Sequence, residues 1–331
     1  MIKDKRFTSQ GIIPLEYHPE KVKEYVKQHW NITFARQKKV SVCAKKIIAN
    51  VMSMIRDDDS DLRPYYQMHV TDIATPGQDI TSLYKEVKKA FDELTDLKWL
   101  IEDIDKKRYS YRHLLNTSDI HCGYDNGIIM IALNPILKPY FIEIAHYTTY
   151  ELKYYMHFTS WYSMRLFELL TAYKDSGIWH VSIQELRQLM DCEKKYPNNT
   201  KAFLDYILIK PLEELSQTKF AFTYTPLFDE THKGRGRKPI IAVEFKLKNV
   251  VPSKVPESWF EYSDAHKQVL LRLRQWKVTE ANIIRYAKGI GIEGANKLIH
   301  EWQVKANEIQ DKEKYCNAVW VRVGKATTNI I

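Results

Sequence analysis

Lys233-Gly234-Arg235-Gly236-Arg237-Lys238 places four cations within six residues. Cations at that density neutralise phosphate, and the glycines let the backbone lie against a phosphate or enter a narrow minor groove. Taken alone, the stretch is equally a solvated hairpin tip. A second group is Lys194-Lys195-Tyr196-Pro197-Asn198-Asn199-Thr200-Lys201. It stands where a polar turn meets the start of a helix, whose free N–H groups carry partial positive charge. Lys194, Lys195 and Lys201 can neutralise phosphate there, and Asn can bond an adenine edge in the major groove. Asn198 or Asn199 is also a candidate helix cap; the other, with Thr200, is then left to reach bases. Gln78, Thr81, Ser82, Lys85 and Lys89 form a weaker counterpart on the polar face of an earlier helix, with Lys106, Lys107 and Arg108 at a hairpin tip. A solvated face or a protein–protein contact explains that set about as well as DNA.

Other chemistry is hard to find. There is no His-x-His pair of the kind that holds a nicking metal. Gly234–Lys238 and Gly324-Lys325-Ala326-Thr327 lack the spacing of a phosphate loop. His113, His121 and Cys122 could ligate a metal, and so could Asp57-Asp58-Asp59. Ordinary core and surface residues, and a solvated loop, are the simpler readings. The cysteines Cys43, Cys122, Cys192 and Cys316 are scattered, with no CxxC pair, which suits reduced thiols. No catalytic residue, metal or cofactor is therefore expected. Ala287–Leu298 resembles a helix-hairpin-helix, in which a Gly-hydrophobic-Gly turn (Gly289 to Gly291) offers backbone N–H groups to phosphate. A glycine ending a helix would explain the same pattern.

Behind these groups stand 331 residues with a formal net charge of +9. That length suits about two or three domains, and the charge favours an anionic partner, nucleic acid first. Gly (11) and Pro (12) are scarce, which argues against long flexible linkers. No apolar run follows the N-terminus and none is long enough to span a membrane, so a cytoplasmic location is expected.

The periodicity predicts a short helix near Glu20–Trp30 in an N-terminal arm (1–35). It predicts a helix over Val42–Ile55, a strand over Tyr65–Val70, a helical turn over Thr71–Ala74, and a helix capped by Thr81. Strands follow over Trp99–Ile104, Tyr109–Leu115 and Ile128–Leu133. A similar order then recurs. A helix over Ser160–Tyr173 leads to a strand over Trp179–Val181. Next come a helix opened by Ser182 and Glu185, a helix over Thr200–Leu215, and a hairpin of Phe220–Thr225 and Ile240–Leu247. Helix, strand, helix, turn, helix, hairpin is the order of a winged helix. The fold class is α+β and helix-rich, with tandem winged helices over 36–148 and 149–250. A small helical C-terminal region (251–331) follows, with helices over Asp264–Trp276, Thr279–Lys288 and Glu293–Lys312.

Four segments taken together closely resemble the iteron-binding plasmid replication initiators, the initiator Rep family. They are Phe158–Leu170 (with Ser160, Tyr162, Ser163, Arg165 and Leu166), Ser182–Met190, Lys210–Leu215 and Lys233–Phe245. The resemblance runs in order over roughly residues 36–248 and is strongest from 158. It implies two winged helices whose monomers bind direct repeats in double-stranded DNA at an origin. It further implies melting of an AT-rich neighbour and recruitment of host helicase and its loader. Dimers paired mainly through the first winged helix would repress the initiator's own gene or limit copy number. By position, Asn198–Lys201, led by Lys194 and Lys195, maps onto the major-groove reader, and Lys233, Arg235, Arg237 and Lys238 map onto its wing. Two alternatives stand beside this reading: a tandem winged-helix transcription regulator, and an origin-acting enzyme such as a primase or relaxase.

Overall fold

The computed structural model describes residues 24–56, 59–103, 108–118, 122–142, 147–234, 237–250 and 264–328. The helix expected near Glu20–Trp30 is instead strand β1 (Tyr25–His29) followed by one helical turn, α1 (Trp30–Thr33). Burial along β1 alternates, with Val26 and Gln28 inward, which is the period of a strand and not of a helix. Val26, Gln28, Ile32, Thr33 and Ala35 are thus packed into the body of the molecule.

Helix α2 (Val42–Met54) opens on Ser41, whose Oγ accepts from the Ala44 N–H. Strand β2 (Tyr66–His69) and a 3-10 turn (Val70–Ile73) lead to α3 (Ile80–Thr95). The cap of α3 is Asp79, which accepts from the Ser82 N–H at 2.9 Å. Thr81, the expected cap, lies already inside the helix. Asp79 stands three residues before Ser82, the spacing at which a cap side chain accepts from a free N–H of the first turn. Leu83, Val87, Ala90 and Leu94 face the core as their spacing requires.

Strands β3 (Lys98–Asp103) and β4 (Arg108–His113) form a two-stranded antiparallel hairpin. Strands β5 (Gly123–Asp125) and β6 (Ile128–Ile131) form another, turning through Asn126 and Gly127 at φ 48° and 92°. Two successive left-handed residues are what a tight hairpin turn requires. The sheet runs β2-β6-β5, so β2 pairs with β6 and not with the β3–β4 hairpin. Ile129, Met130 and Ile131 are consecutive and buried; a strand apolar on both faces belongs in the centre of a sheet.

Strand β7 (Tyr147–Glu151) pairs antiparallel with β1, and α4 (Leu152–His157) leads into α5 (Trp161–Ala172). Strand β8 (Ile178–Ser182), α6 (Ile183–Leu189), α7 (Thr200–Leu215), β9 (Phe222–Phe228) and β10 (Ile240–Leu247) complete the second unit. Here the leading strand does join the hairpin, in the order β8-β10-β9. Trp179 and Phe245 are register partners and stack at 5.0 Å, which locks that pairing from the core side.

One hydrophobic core runs through both units. At its centre Lys45 of α2 donates to Glu168 of α5 at 2.8 Å, and Arg165 donates to the other Glu168 oxygen at 3.1 Å. All three are buried. Tyr155 donates to Glu168 at 2.6 Å, and Arg165 also reaches the Ala35 and Leu189 carbonyls at 2.7 and 3.2 Å. Burial pushes Lys45 down, and Glu168 opposes it. Burial would raise Glu168, yet Lys45 and Arg165 hold its carboxyl below the ordinary value. The triad ties residue 35, α2, α5 and the end of α6 into one joint.

The C-terminal region has its own core, built by α8 (Asp264–Gln275), α9 (Glu280–Val304) and α10 (Lys312–Thr328), with Trp302 and Trp320 at its centre. Helix α9 ends well before Lys312, and α10 occupies a stretch for which no helix was expected. The alternation of Val319, Val321 and Val323 there imitates a strand period, while Cys316 and Trp320 fall on one buried helical face. Gly291 sits at φ 72°, ψ 173° inside α9, a conformation reserved for glycine. It breaks α9 into the two expected helices, at Gly291 and not at Gly289.

Candidate nucleic-acid interface

The second unit presents a helix-turn-helix, α6 and α7, beside a hairpin. The connection between the helices, 191–199, is exposed apart from Cys192. Its shape is set from below by Arg187 on α6. This guanidinium donates to the Lys195 carbonyl and, at 2.9 Å, to the Tyr196 carbonyl, and stacks over the Phe203 ring at 4.2 Å. Tyr196 takes a left-handed φ of 50° and Asp191 one of 51°, so the loop is bent tightly at both ends. Arg187 is buried and was not singled out from the sequence. The available signal was a cation within the apolar stretch Leu186–Met190.

Lys194, Lys195, Asn198, Asn199 and Lys201 are all exposed around the start of α7, and Thr200 is half-buried. Asn199 is the cap: its Oδ1 accepts from the Ala202 N–H at 3.0 Å. Asn198 is left facing outward. Lys195 lies with its Nζ 5.0 Å over the Tyr206 ring, which in turn packs on Tyr196 and Tyr162 at 5.5 and 5.3 Å. The hydrogen bond from Tyr162 is the main reason the Tyr206 phenol titrates below its usual value.

The β9–β10 loop closes where the Asp229 N–H donates to the Pro239 carbonyl at 2.9 Å. Asp229 also accepts from the N–H and hydroxyl of Thr231 at 2.9 and 2.6 Å. Lys233, Arg237 and Lys238 are exposed, and Lys238 pairs with Glu230. A Cβ at Gly234 would come within 2.8 Å of the His232 ring, an exposed side chain with room to turn aside. Arg235 lies outside the described residues.

The first unit carries the weaker set differently. Gln78 accepts from the Thr75 N–H and donates to Glu86, both at 3.0 Å. Ser82 donates to the Asp79 carbonyl at 2.8 Å, and Lys89 pairs with Glu93 at 4.0 Å. Thr81 and Lys85 are exposed. Four carboxylates (Asp79, Glu86, Asp92 and Glu93) share this surface with Lys85, Lys88 and Lys89. Lys106 and Lys107 lie outside the described residues.

Residues 25–171 match the family model described as Initiator Replication protein, WH1. Residues 182–247 match the one described as Initiator Rep protein, WH2. The chain belongs to the initiator Rep family. Among solved structures the initiator is similar to the Pi initiator protein, crystallised in complex with iteron DNA. The two are 17% identical with a TM-score of 0.51, over 68% of this chain and 97% of that one. A second solved structure, domains 2 and 3 of RctB, is 12% identical over 71% of this chain and 95% of that one. Its TM-score of 0.37 carries no weight for the fold. No curated protein sequence matches the initiator.

Both family models end before α8, so the helical region of the initiator stands outside them. In that region Lys288 and Lys297 are exposed on either side of the Gly291 break. Among the described residues of the initiator no group of three or more His, Cys, Asp or Glu could hold a metal ion. His113 is exposed and Cys122 half-buried; His121, Asp57 and Asp58 lie outside the described residues. No helix of the described residues is long and apolar enough to cross a membrane.

Proposed function

We propose that this initiator binds repeated sites at a plasmid origin through its second winged helix, with the α7 start in the major groove and the β9–β10 loop along the backbone. The observation that carries the reading is the exposed cationic loop Lys194–Lys201, held in shape by Arg187 at the head of a helix-turn-helix in an initiator Rep chain. Asn198 and Thr200 with Lys194, Lys195 and Lys201 form the reader. Lys233, Arg235, Arg237 and Lys238 form the wing. Thr81, Lys85 and their neighbours on α3 add a weaker backbone contact or a protein contact.

The initiator binds repeats as a monomer, and strain from several bound copies opens the adjacent AT-rich DNA. Host helicase and its loader follow, and a dimer formed through the first winged helix represses the initiator's own gene. The chain carries out no catalysis of its own in this scheme and acts in the bacterial cytoplasm. The shared core and the Lys45–Glu168–Arg165 joint support a fixed angle between the two heads. A fixed angle lets both engage successive faces of one duplex.

Footprinting with the full chain on the DNA flanking its gene tests this. Protection of several direct repeats of about 20 base pairs, two helical turns, is expected. A lone protected inverted repeat would make the chain a regulator. Metal-dependent cleavage or primer synthesis on the same DNA would make it an enzyme.

A further inference from the structure

Ala202, Asp205, Tyr206 and Ile209 of α7, spaced i, i+3, i+4 and i+7, align on the face turned from the core; Tyr206 and Ile209 are exposed, Ala202 and Asp205 half-buried. This ridge lies opposite the buried Phe203, Leu204, Ile207 and Leu208. Ile209 is 66% exposed. A β-branched side chain in that position gains little burial in the free protein and fits a helix no better than a straight one. Isolated exposed hydrophobics are common. This one, however, continues the line that begins at the cationic loop and runs alongside β9, on which α7 packs. Asp205, the one acid in the first three turns of α7, lies within that line. A carboxylate repels phosphate, so the ridge is ill suited to the DNA backbone and suited to base edges, where it can accept from a cytosine amine. Ala202 and Ile209 offer no hydrogen bond. The apolar group that the major groove presents is the C5 methyl of thymine.

We propose that the α7 ridge reads thymine by its methyl group, with Ile209 as the principal contact and Ala202 as a second. Seven residues of helix advance about 10 Å, which is about three base-pair steps at 3.4 Å. The two methyl contacts therefore fall about three base pairs apart. This inference rests on the major-groove placement proposed for α7 above.

The test uses the full chain and a randomised duplex library at fixed salt. The enriched duplex is then resynthesised with deoxyuridine replacing each thymine in turn. Wild type should lose about three- to fivefold in affinity at a thymine in the reader half-site, the effect of deleting one buried methyl. Ile209→Ala should bind the thymine and deoxyuridine duplexes equally at that position while keeping the wild-type penalties elsewhere. Ile209→Asn should shift the preference there toward adenine. Thermal melting of both variants should match wild type, since the side chain lies outside the core. Indifference of wild type to every thymine methyl would overturn the ridge reading. So would a full deoxyuridine penalty in Ile209→Ala, including one accompanied by a changed oligomeric state. In those cases specific binding to the enriched duplex leaves the groove placement standing. If no duplex is enriched, the placement and the ridge reading fall together.

Discussion

The two winged helices share an order of elements and differ in how that order is paired and what it exposes. In the second, β8 joins β10 and β9 in one sheet, so the loop between β9 and β10 projects from a strand anchored in the core by Phe245 and Val243. In the first, β2 pairs with β6, and the β3–β4 hairpin is a sheet of its own. The helix starts differ too. The α7 start is preceded by an exposed cationic loop whose carbonyls are held by a buried arginine. The α3 start is tied down by Asp79 and Gln78, with the Glu86 carboxylate bonded to Gln78 beside it. The same order of elements thus carries one surface complementary to a polyanion and one of mixed charge. The difference lies in the side chains at the helix start, which packing leaves free to vary.

Five experiments would break or sharpen this contrast. The largest effect is expected at the joint between the units. Glu168→Ala leaves Lys45 and Arg165 buried without a counter-charge and should cost about 3–5 kcal/mol in denaturant unfolding. A loss below about 1 kcal/mol would mean that the heads do not depend on the triad. Next is acid. Burial lowers the His29 imidazole from 6.5 to about 4. Between those values the unfolded chain binds a proton that the folded chain refuses, so stability is lost as pH falls from about 6.5 to 4. The loss should reach at most about 3 kcal/mol, should fall on the β1–β7 pair, and should be flattened in His29→Gln. Protection of β1 and β7 amides that is unchanged across this range would count against it.

Third, Arg187→Ala frees the Lys195 and Tyr196 carbonyls and should lower specific duplex affinity by about tenfold or more while leaving the salt slope intact. A steep fall in non-specific binding would instead make Arg187 a phosphate contact. The smallest effect compares the two helix starts directly. Lys201→Ala should flatten the slope of log K against log salt by about one phosphate, or 0.9, and Lys85→Ala by clearly less. Equal slopes would erase the distinction between the units. Asn199→Ala belongs to stability rather than specificity, at about 1 kcal/mol for the lost cap; Asn198→Ala is the cleaner probe of base reading.

Much of the fold was legible because long helices announce themselves. α2, α5 and α7 lie within about one residue of their expected bounds, each carrying its own apolar period and a polar cap. β1 was read as a helix because its pairing partner, β7, lies more than a hundred residues away. α10 lies beyond the last helix expected from the sequence, Glu293–Lys312. The cationic loop and wing were visible as charge, whereas Arg187 was hidden, since a buried cation is recognised only through the carbonyls it meets. Glu168 was hidden likewise, and Arg165 stood out as part of the family motif but not as a buried ion-pair partner: α5 is buried along its whole length, so no exposed face marks the pair.

Local information was enough to mark helices, caps and clustered cations, because each depends on residues within a turn or two of one another. Family membership was legible for the same reason, being carried by short ordered segments. Strand partners and buried charges depend on long-range contacts. Whether β2 takes β6 or β4 as its neighbour depends on which strand is apolar on both faces. Whether Lys45 is tolerated inside depends on Glu168, 123 residues on. Such choices are settled where desolvation and pairing are weighed against each other in the packed core.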